Sequence, residues 1–247
     1  MLEKIDGIII KTRDYGETHK IVTIFSKRLG KFSALARGAK KPKSRMAAVT
    51  QPFIYGQFFV YVNKGLSTIQ QGEIINSNRL IREDIIKTAY AAYLAELTDK
   101  LLDENTPNLE IYTQLANTLE WISEKDDVDI PIMMYELKMF KAGGFAPTVN
   151  QCLHCGRKNG PYTFSMVEGG LLCPTCNHLD QEAIRLPDAV AKLLYIISSV
   201  GLERIGNISV KEGNRLLLRN ILDAYYERYG GYYLKSKKFL NQLSKLQ

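Results

Sequence analysis

An α+β, multidomain architecture is predicted for this 247-residue chain: a small five-stranded β-barrel, then an α-helical domain carrying an inserted four-cysteine zinc segment. Three observations predict it. Residues 1–80 alternate apolar and polar side chains between turn residues. From about Arg79 the apolar spacing changes to three and four. All four cysteines fall within 25 positions as two C-x2-C pairs. The expected boundaries are 1–80 for the barrel and 81–247 for the helical domain, with 148–182 as the insertion.

In chain order, Ile8 and Ile10 open a first strand. Ile21, Thr23 and Phe25 alternate with Val22 and Ile24 in a second. The third lies in the basic run Lys27–Arg45, where Phe32, Ala34 and Ala36 alternate with Ser33, Leu35 and Arg37. After it, Gly38 and Pro42 punctuate an exposed loop. In FIYGQFFVYV, Phe53, Tyr55, Phe59 and Tyr61 form one face, and Ile54, Phe58, Val60 and Val62 the other. A turn at Asn63–Gly65 leads into a fifth run, Leu66–Ile75. Five short strands with intervening turns fit a small barrel better than a sandwich.

A helix from about Arg79 places Ile86, Ala89, Tyr93, Leu97 and Leu101 on one face. After Pro107 a second carries Leu109, Tyr112, Leu115, Leu119 and Ile122. A third runs from Pro131 to Ala142, where Gly143-Gly144 ends it. Beyond the cysteines, helices are expected from Pro187 to Val200 and from Ser209 to Gly230. Ser209 and Glu212 match a capping box. A last helix, Ser236–Leu246, aligns Phe239, Leu240, Leu243 and Leu246; most of these helical stripes are expected in the core, with a partner groove as the alternative for this last one.

Charge is unevenly spread. The chain carries a formal +7, but residues 1–80 hold fourteen Lys/Arg against five Asp/Glu, a balance of +9 that leaves −2 for the rest. Eight of the nineteen residues Lys27–Arg45 are basic and none is acidic. Taken alone, such a run is most often a solvated loop. Its confinement to a barrel points to a polyanionic partner. The opening MLEKIDGIIIKTRDYGE is too charged for a signal peptide, and no segment approaches the ~18–20 apolar residues of a membrane span. A cytoplasmic protein without a membrane segment is expected.

Cys152-x2-Cys155 and Cys173-x2-Cys176, seventeen residues apart, have the spacing of a four-thiolate zinc site. Four thiolates leave no open position for water, so the expected role of Zn2+ is structural. A deaminase would need H-x-E and P-C-x-x-C, whereas His154 stands in His-Cys-Gly and Pro174 follows its cysteine. His154 and His178 are dispensable as ligands, and His19, in a polar stretch, is expected on the surface. Phosphate-loop, H-E-x-x-H and G-x-S-x-G patterns do not occur. No enzyme is expected, and no catalytic residue.

The segment DYGETHKIVTIFSKRLGKFSALARGAKKPKSR resembles the signature of the RecO family of bacterial recombination mediators. A Tyr-x-Glu precedes a hydrophobic strand, then a Gly turn and a small-residue strand ending in Arg37-Gly38-Ala39-Lys40-Lys41. Further matches are LKMFKAGGFAP (Leu137–Pro147), the paired C-x2-C segment and LKSKKFL (Leu234–Leu240), in order over essentially the whole chain. The resemblance implies an N-terminal OB-fold, a helical domain and a zinc-binding insertion. It implies a DNA repair and homologous recombination mediator that binds single- and double-stranded DNA and anneals complementary strands. Such a protein acts with RecR to help load RecA onto DNA covered by single-strand-binding protein, in the RecF pathway. It also contacts that protein's acidic C-terminal tail, and works in the bacterial cytoplasm, associated with the nucleoid during repair. Family members that lack the four cysteines favour the structural reading of zinc.

The expected phosphate contacts are Arg13, Lys27, Arg28, Lys31, Arg37, Lys40, Lys41, Lys43 and Arg45. Tyr55, Phe59 and Tyr61 are expected to fill the barrel, with base stacking as the alternative. Arg215, Arg219, Lys237 and Lys238 are candidates for the acidic tail on charge alone. The runner-up is a zinc-stabilised interaction scaffold whose basic face binds acidic protein tails. A zinc-dependent hydrolase is the third reading.

Overall fold

A computed structural model describes residues 1–206 and 209–243 of the chain. Five strands, β1 (Leu2–Tyr15), β2 (His19–Ser26), β3 (Gly30–Ala36), β4 (Tyr55–Tyr61) and β5 (Ser67–Asn76), close into a barrel in the order β1-β2-β3-β5-β4. All pairings are antiparallel except β3 with β5. This is the five-stranded OB-fold barrel. β1 is long enough to pair with β4 along its first half and β2 along its second, with a register shift between Ile9 and Lys11. Ile5, Ile9, Val22, Ile24, Phe32, Ala34, Phe58 and Val60 fill the interior.

The alternation of β4 resolves one expectation against the sequence reading. Ile54, Phe58 and Val60 point inward, so Tyr55, Phe59 and Tyr61 lie on the outer face. The interior is already filled by the opposite set, and a period of two sends these rings out.

The apolar runs of β1 and β2 are buried on both faces. Ile8, Ile10, Ile21 and Phe25 face outward yet are buried, because helices cover them. These are α2 (Arg79–Glu83), α3 (Ile85–Leu101) and α4 (Leu109–Glu124), which follow the barrel after a short α1 (Arg45–Val49) in the β3–β4 connection. The single helix expected from Arg79 is broken at Asp84, whose carboxylate caps α3 by accepting from the amides of Ile86 (2.7 Å) and Lys87 (2.9 Å). Phe25 meets Tyr112 of α4 edge-on at 5.8 Å. Gly30 sits at φ +70, and a Cβ there would run into the Thr106 carbonyl, so only glycine lets the α3–α4 loop approach.

The compact units accordingly do not divide at 80/81. One comprises Met1–Asp126 with the segment from Leu234, and the other Asp127–Tyr233. The outward apolar faces of β1 and β2 need α3 and α4, which holds the first helices with the barrel. The last helix, α8 (Lys235–Leu243), packs on α3. Glu96 accepts from the Lys235 and Ser236 amides (3.2 and 2.8 Å), satisfying its first turn. Of the expected stripe, Leu240 is buried there and Phe239 stays 44% exposed, while Lys245 and Leu246 lie outside the described residues.

In the second unit α5 (Asp129–Ala142) is buried all round between Ile130 and Phe140. After it come β6 (Tyr162–Ser165), β7 (Gly170–Leu172) and β8 (Ile184–Leu186), paired in the order β7-β6-β8. Then follow α6 (Asp188–Ser199) and α7 (Glu212–Tyr229). α7 starts at Glu212 with no side-chain cap, so the box expected at Ser209 does not form. Glu136, buried in α5, is held by Arg219 of α7, whose guanidinium donates to both carboxylate oxygens at 2.7 Å.

Candidate nucleic-acid interface and metal centre

The strand register separates the basic run into two groups. Tyr15 pairs with His19 and Lys20 with Ala36, so the end of β1, the start of β2 and the end of β3 share one rim. Arg13, Arg37 and Lys40 lie there, and two successive turns, Gly38–Lys41 and Lys41–Ser44, carry the chain on through Lys41 and Lys43 to Arg45 at the start of α1. Lys27 and Arg28 sit on the β2–β3 hairpin, at the far end of β3. Seven strand residues at ~3.3 Å each put the two groups about 20 Å apart. One polyanion segment cannot touch both without following the barrel wall.

The loop after β3 is anchored to the β1–β2 turn. The Lys40 amide donates to the Thr18 carbonyl (2.9 Å), and the Gly38 amide to Nδ1 of His19 (3.0 Å). His19 therefore braces the basic loop, a role that its polar neighbours in the sequence do not signal. Lys40 lies 2.9 Å from Asp14, and that hydrogen bond holds the Asp14 carboxyl below its usual range. Arg13, Arg37, Lys41, Lys43 and Arg45 are exposed and have no carboxylate partner among the described residues.

The remaining expected contacts are less open. Arg28 pairs with Glu3. Lys31 is a correction: it is buried, its ammonium donates to the Asp99 carbonyl, and it lies 3.5 Å from the Asp99 carboxylate. It faces outward as alternation requires, but what lies outside it is α3 and not solvent. Arg215 is engaged by Asp127 (2.9 Å) and Asp129 (3.4 Å), and Arg219 by Glu136 and Asp223. The Lys237 ammonium stands 4.7 Å from the centroid of the Tyr93 ring.

The four cysteines converge, as their spacing requires. Their sulfurs all lie within 4.8 Å of one another, with Cys155 and Cys173 at 3.6 Å. A tetrahedral ion with metal–sulfur bonds of ~2.3 Å sets sulfurs ~3.8 Å apart, so the cluster fits one. Each pair is a tight knuckle: the Gly156 amide donates to the Cys152 carbonyl (2.9 Å) and the Cys176 amide to that of Cys173 (2.9 Å). Gly156 takes φ +73 to close the first. Burial raises the Cys152 thiol, but amides of Cys155, Cys173 and His154 outweigh it and bring it down to about 6. Burial and the neighbouring sulfurs push Cys176 up to about 12. Four sulfurs this close repel one another as anions, so all become thiolates only around a cation. His154 and His178 stand outside the cluster, His178 bonded through Nδ1 to the Thr175 carbonyl.

Comparison with known proteins gives two family matches: Recombination protein O N terminal over residues 1–78, and Recombination protein O C terminal over residues 82–238. The chain is 60% identical over 243 residues to "DNA repair protein RecO" of Oceanobacillus iheyensis, covering 98% of this chain and 94% of that protein. It is 43% identical to the protein of that name from Bacillus subtilis, covering 100% and 97%. With that of Bacillus cereus it shares 45% over the full length of both.

Proposed function

The chain belongs to the RecO family, and from that premise we propose that it is a DNA repair and recombination mediator that grips DNA by its backbone. The observation that carries this is the rim of the barrel: Arg13, Arg37, Lys41, Lys43 and Arg45 are exposed together and unpaired among the described residues, with Lys40 beside them. Cations dominate this rim, where Asp14 is taken up by Lys40, and a surface of that kind binds phosphates with little sequence preference. Lys27 and Arg28 are secondary contacts at the other end of β3.

Annealing follows without a catalytic residue. Two strands held against one cationic surface repel each other less, and pair faster. No enzymatic chemistry is proposed. The family resemblance extends the reading to partnership with RecR, to assistance of RecA on DNA covered by single-strand-binding protein, and to that protein's acidic tail. Lys238, which is exposed, is the tail contact we propose first; Arg215 and Arg219 would have to leave their carboxylates, and Lys237 its place at the Tyr93 ring. Cys152, Cys155, Cys173 and Cys176 would hold a structural Zn2+, which contributes folding energy and no open coordination site. No described helix is long and apolar enough to cross a membrane, and action in the bacterial cytoplasm is part of the proposal.

The test is charge reversal of Arg37, Lys41 and Lys43 to Glu in the full chain. Binding of an oligo-dT strand should weaken, and its salt slope should become shallower by about 2, at roughly 0.7 for each phosphate no longer neutralised. The annealing rate of complementary strands should fall with it. Unchanged affinity and rate would remove the rim from the DNA interface.

A further inference from the structure

The outer wall of the barrel is unevenly occupied. An OB-fold ordinarily takes an oligonucleotide on its β2–β3 face. Here that face is closed. Phe25 packs on Tyr112, Lys31 is bound to Asp99, and the Asn105 amide donates to the Lys31 carbonyl at 2.8 Å. A strand of nucleic acid has no room there while α3 and α4 are in place.

The β1–β4 face differs. Leu2, Lys4 and Asp6 stand in register with Tyr61, Phe59 and Gln57, all directed outward. Tyr61 is 46% exposed and Leu2 47%. Phe59 is half-buried, with the Lys4 ammonium 6.0 Å from its ring centroid. Tyr55, the next ring along β4, is covered by Tyr112 at 6.5 Å and takes no part. A cavity of about 480 Å³ lined by Lys4, Lys27, Arg28, Gln57 and Leu109, among others, lies on the same flank. Arg28 is neutralised by Glu3, and Asp6 accepts from Gln57 at 3.0 Å. Lys4 and Lys27 remain without a carboxylate partner among the described residues.

We propose that this β1–β4 face binds single-stranded nucleic acid, one base stacking on Phe59 and another on Tyr61, with adjoining phosphates at Lys4 and Lys27. The inference rests on the DNA-binding reading above and names both the strand form and a second surface for it. Residues two apart on a strand are ~6.6 Å apart, about twice the ~3.4 Å rise of stacked bases. Two rings at that spacing suit an extended, unstacked strand; a duplex offers no free base faces. Stacking is sequence-tolerant because every base has a π-face. The barrel then has a single-strand platform on one wall and a phosphate-binding rim at the other end of β3. One strand on each would bring two strands to the same barrel.

The test uses the full chain with oligo-dT and with a blunt duplex of equal length at one salt concentration. Phe59→Ala with Tyr61→Ala should lose about tenfold in oligo-dT affinity for each ring removed, while duplex affinity stays within about twofold and the salt slope holds. Tyr61→Trp keeps a stacking ring, and its added fluorescence should be quenched by oligo-dT, a signal that a purely structural ring would not give. Unchanged oligo-dT affinity in the alanine variant, equal loss for both DNA forms, or an unquenched Tyr61→Trp overturns the proposal. Loss of a protein partner alone, with DNA affinity intact, assigns the face to protein docking and overturns it equally. The two readings fail separately: if the parent binds neither DNA, the DNA-binding reading itself falls. If the Arg37/Lys41/Lys43 reversal abolishes binding and the alanine pair does not, only the platform falls.

Discussion

Lys31 illustrates how one residue can be typed correctly and still assigned the wrong partner. Its ammonium is directed to Asp99 of α3, which Lys11 of β1 also reaches at 2.7 Å. Two strands of the barrel are thus tied to one helix through a single carboxylate. Asp99→Ala should leave the buried Lys31 cation uncompensated and cost about 3 kcal/mol. The midpoint of urea unfolding should drop, while the salt slope for DNA, which Lys31 does not serve, stays where it was. A variant as stable as the parent would show that the pair does not hold α3 to the barrel. Period-two alternation correctly sends Lys31 outward, but alternation along one strand carries no information about what another segment lays on top. Lys27, four residues earlier and on the hairpin, remains in solvent.

Among the elements, the four-cysteine ribbon is the most legible in the sequence and α8 among the least. C-x2-C twice over places four sulfurs by local backbone geometry alone, so spacing suffices to find the site. The ribbon has little apolar interior of its own: Cys152, Leu172, Cys173 and Cys176 form its buried cluster, with Tyr162 against it. Metal binding on the order of 10 kcal/mol would then dominate its local folding. Stripping the protein with a chelator should release one zinc per chain and abolish amide protection across 150–186, with the barrel strands still protected; Cys155→Ser should behave alike. Protection that survives metal removal would mean the ribbon stands without it. For α8 the sequence shows an amphipathic stripe, and a stripe does not name its neighbour. The Glu96 carboxylate that caps it lies almost 140 positions earlier.

On the scale of the whole molecule, the chain's last segment belongs with its first. α8 returns to α3, and the compact unit containing the barrel includes both. Ending the chain after Tyr233 should therefore loosen α3 and not α5 to α7. Hydrogen exchange should show faster opening of Ile85–Leu101, with the second unit unchanged. Equal loss in both units, or none in α3, would contradict this placement. The family matches meet between residues 78 and 82, close to the boundary expected from the change of period, whereas the compact units part at Asp126/Asp127. A change of period marks where strands give way to helices. It does not mark which helices the barrel needs to cover its own outer wall.

The order of residues is enough for the five-strand barrel, the succession of helices, the four-sulfur cluster, the basic character of the N-terminal third and the resemblance to the RecO family. Each of these follows from local spacing, composition or the order of motifs. Which cations stay free, which barrel face is covered and which way the β4 aromatics point depend on contacts between distant segments. Alternation in Phe53–Val62 defines two faces but gives no sign for inside, because both are apolar. Closure of the barrel around Phe58 and Val60 supplies that sign, and leaves Phe59 and Tyr61 on the outer wall.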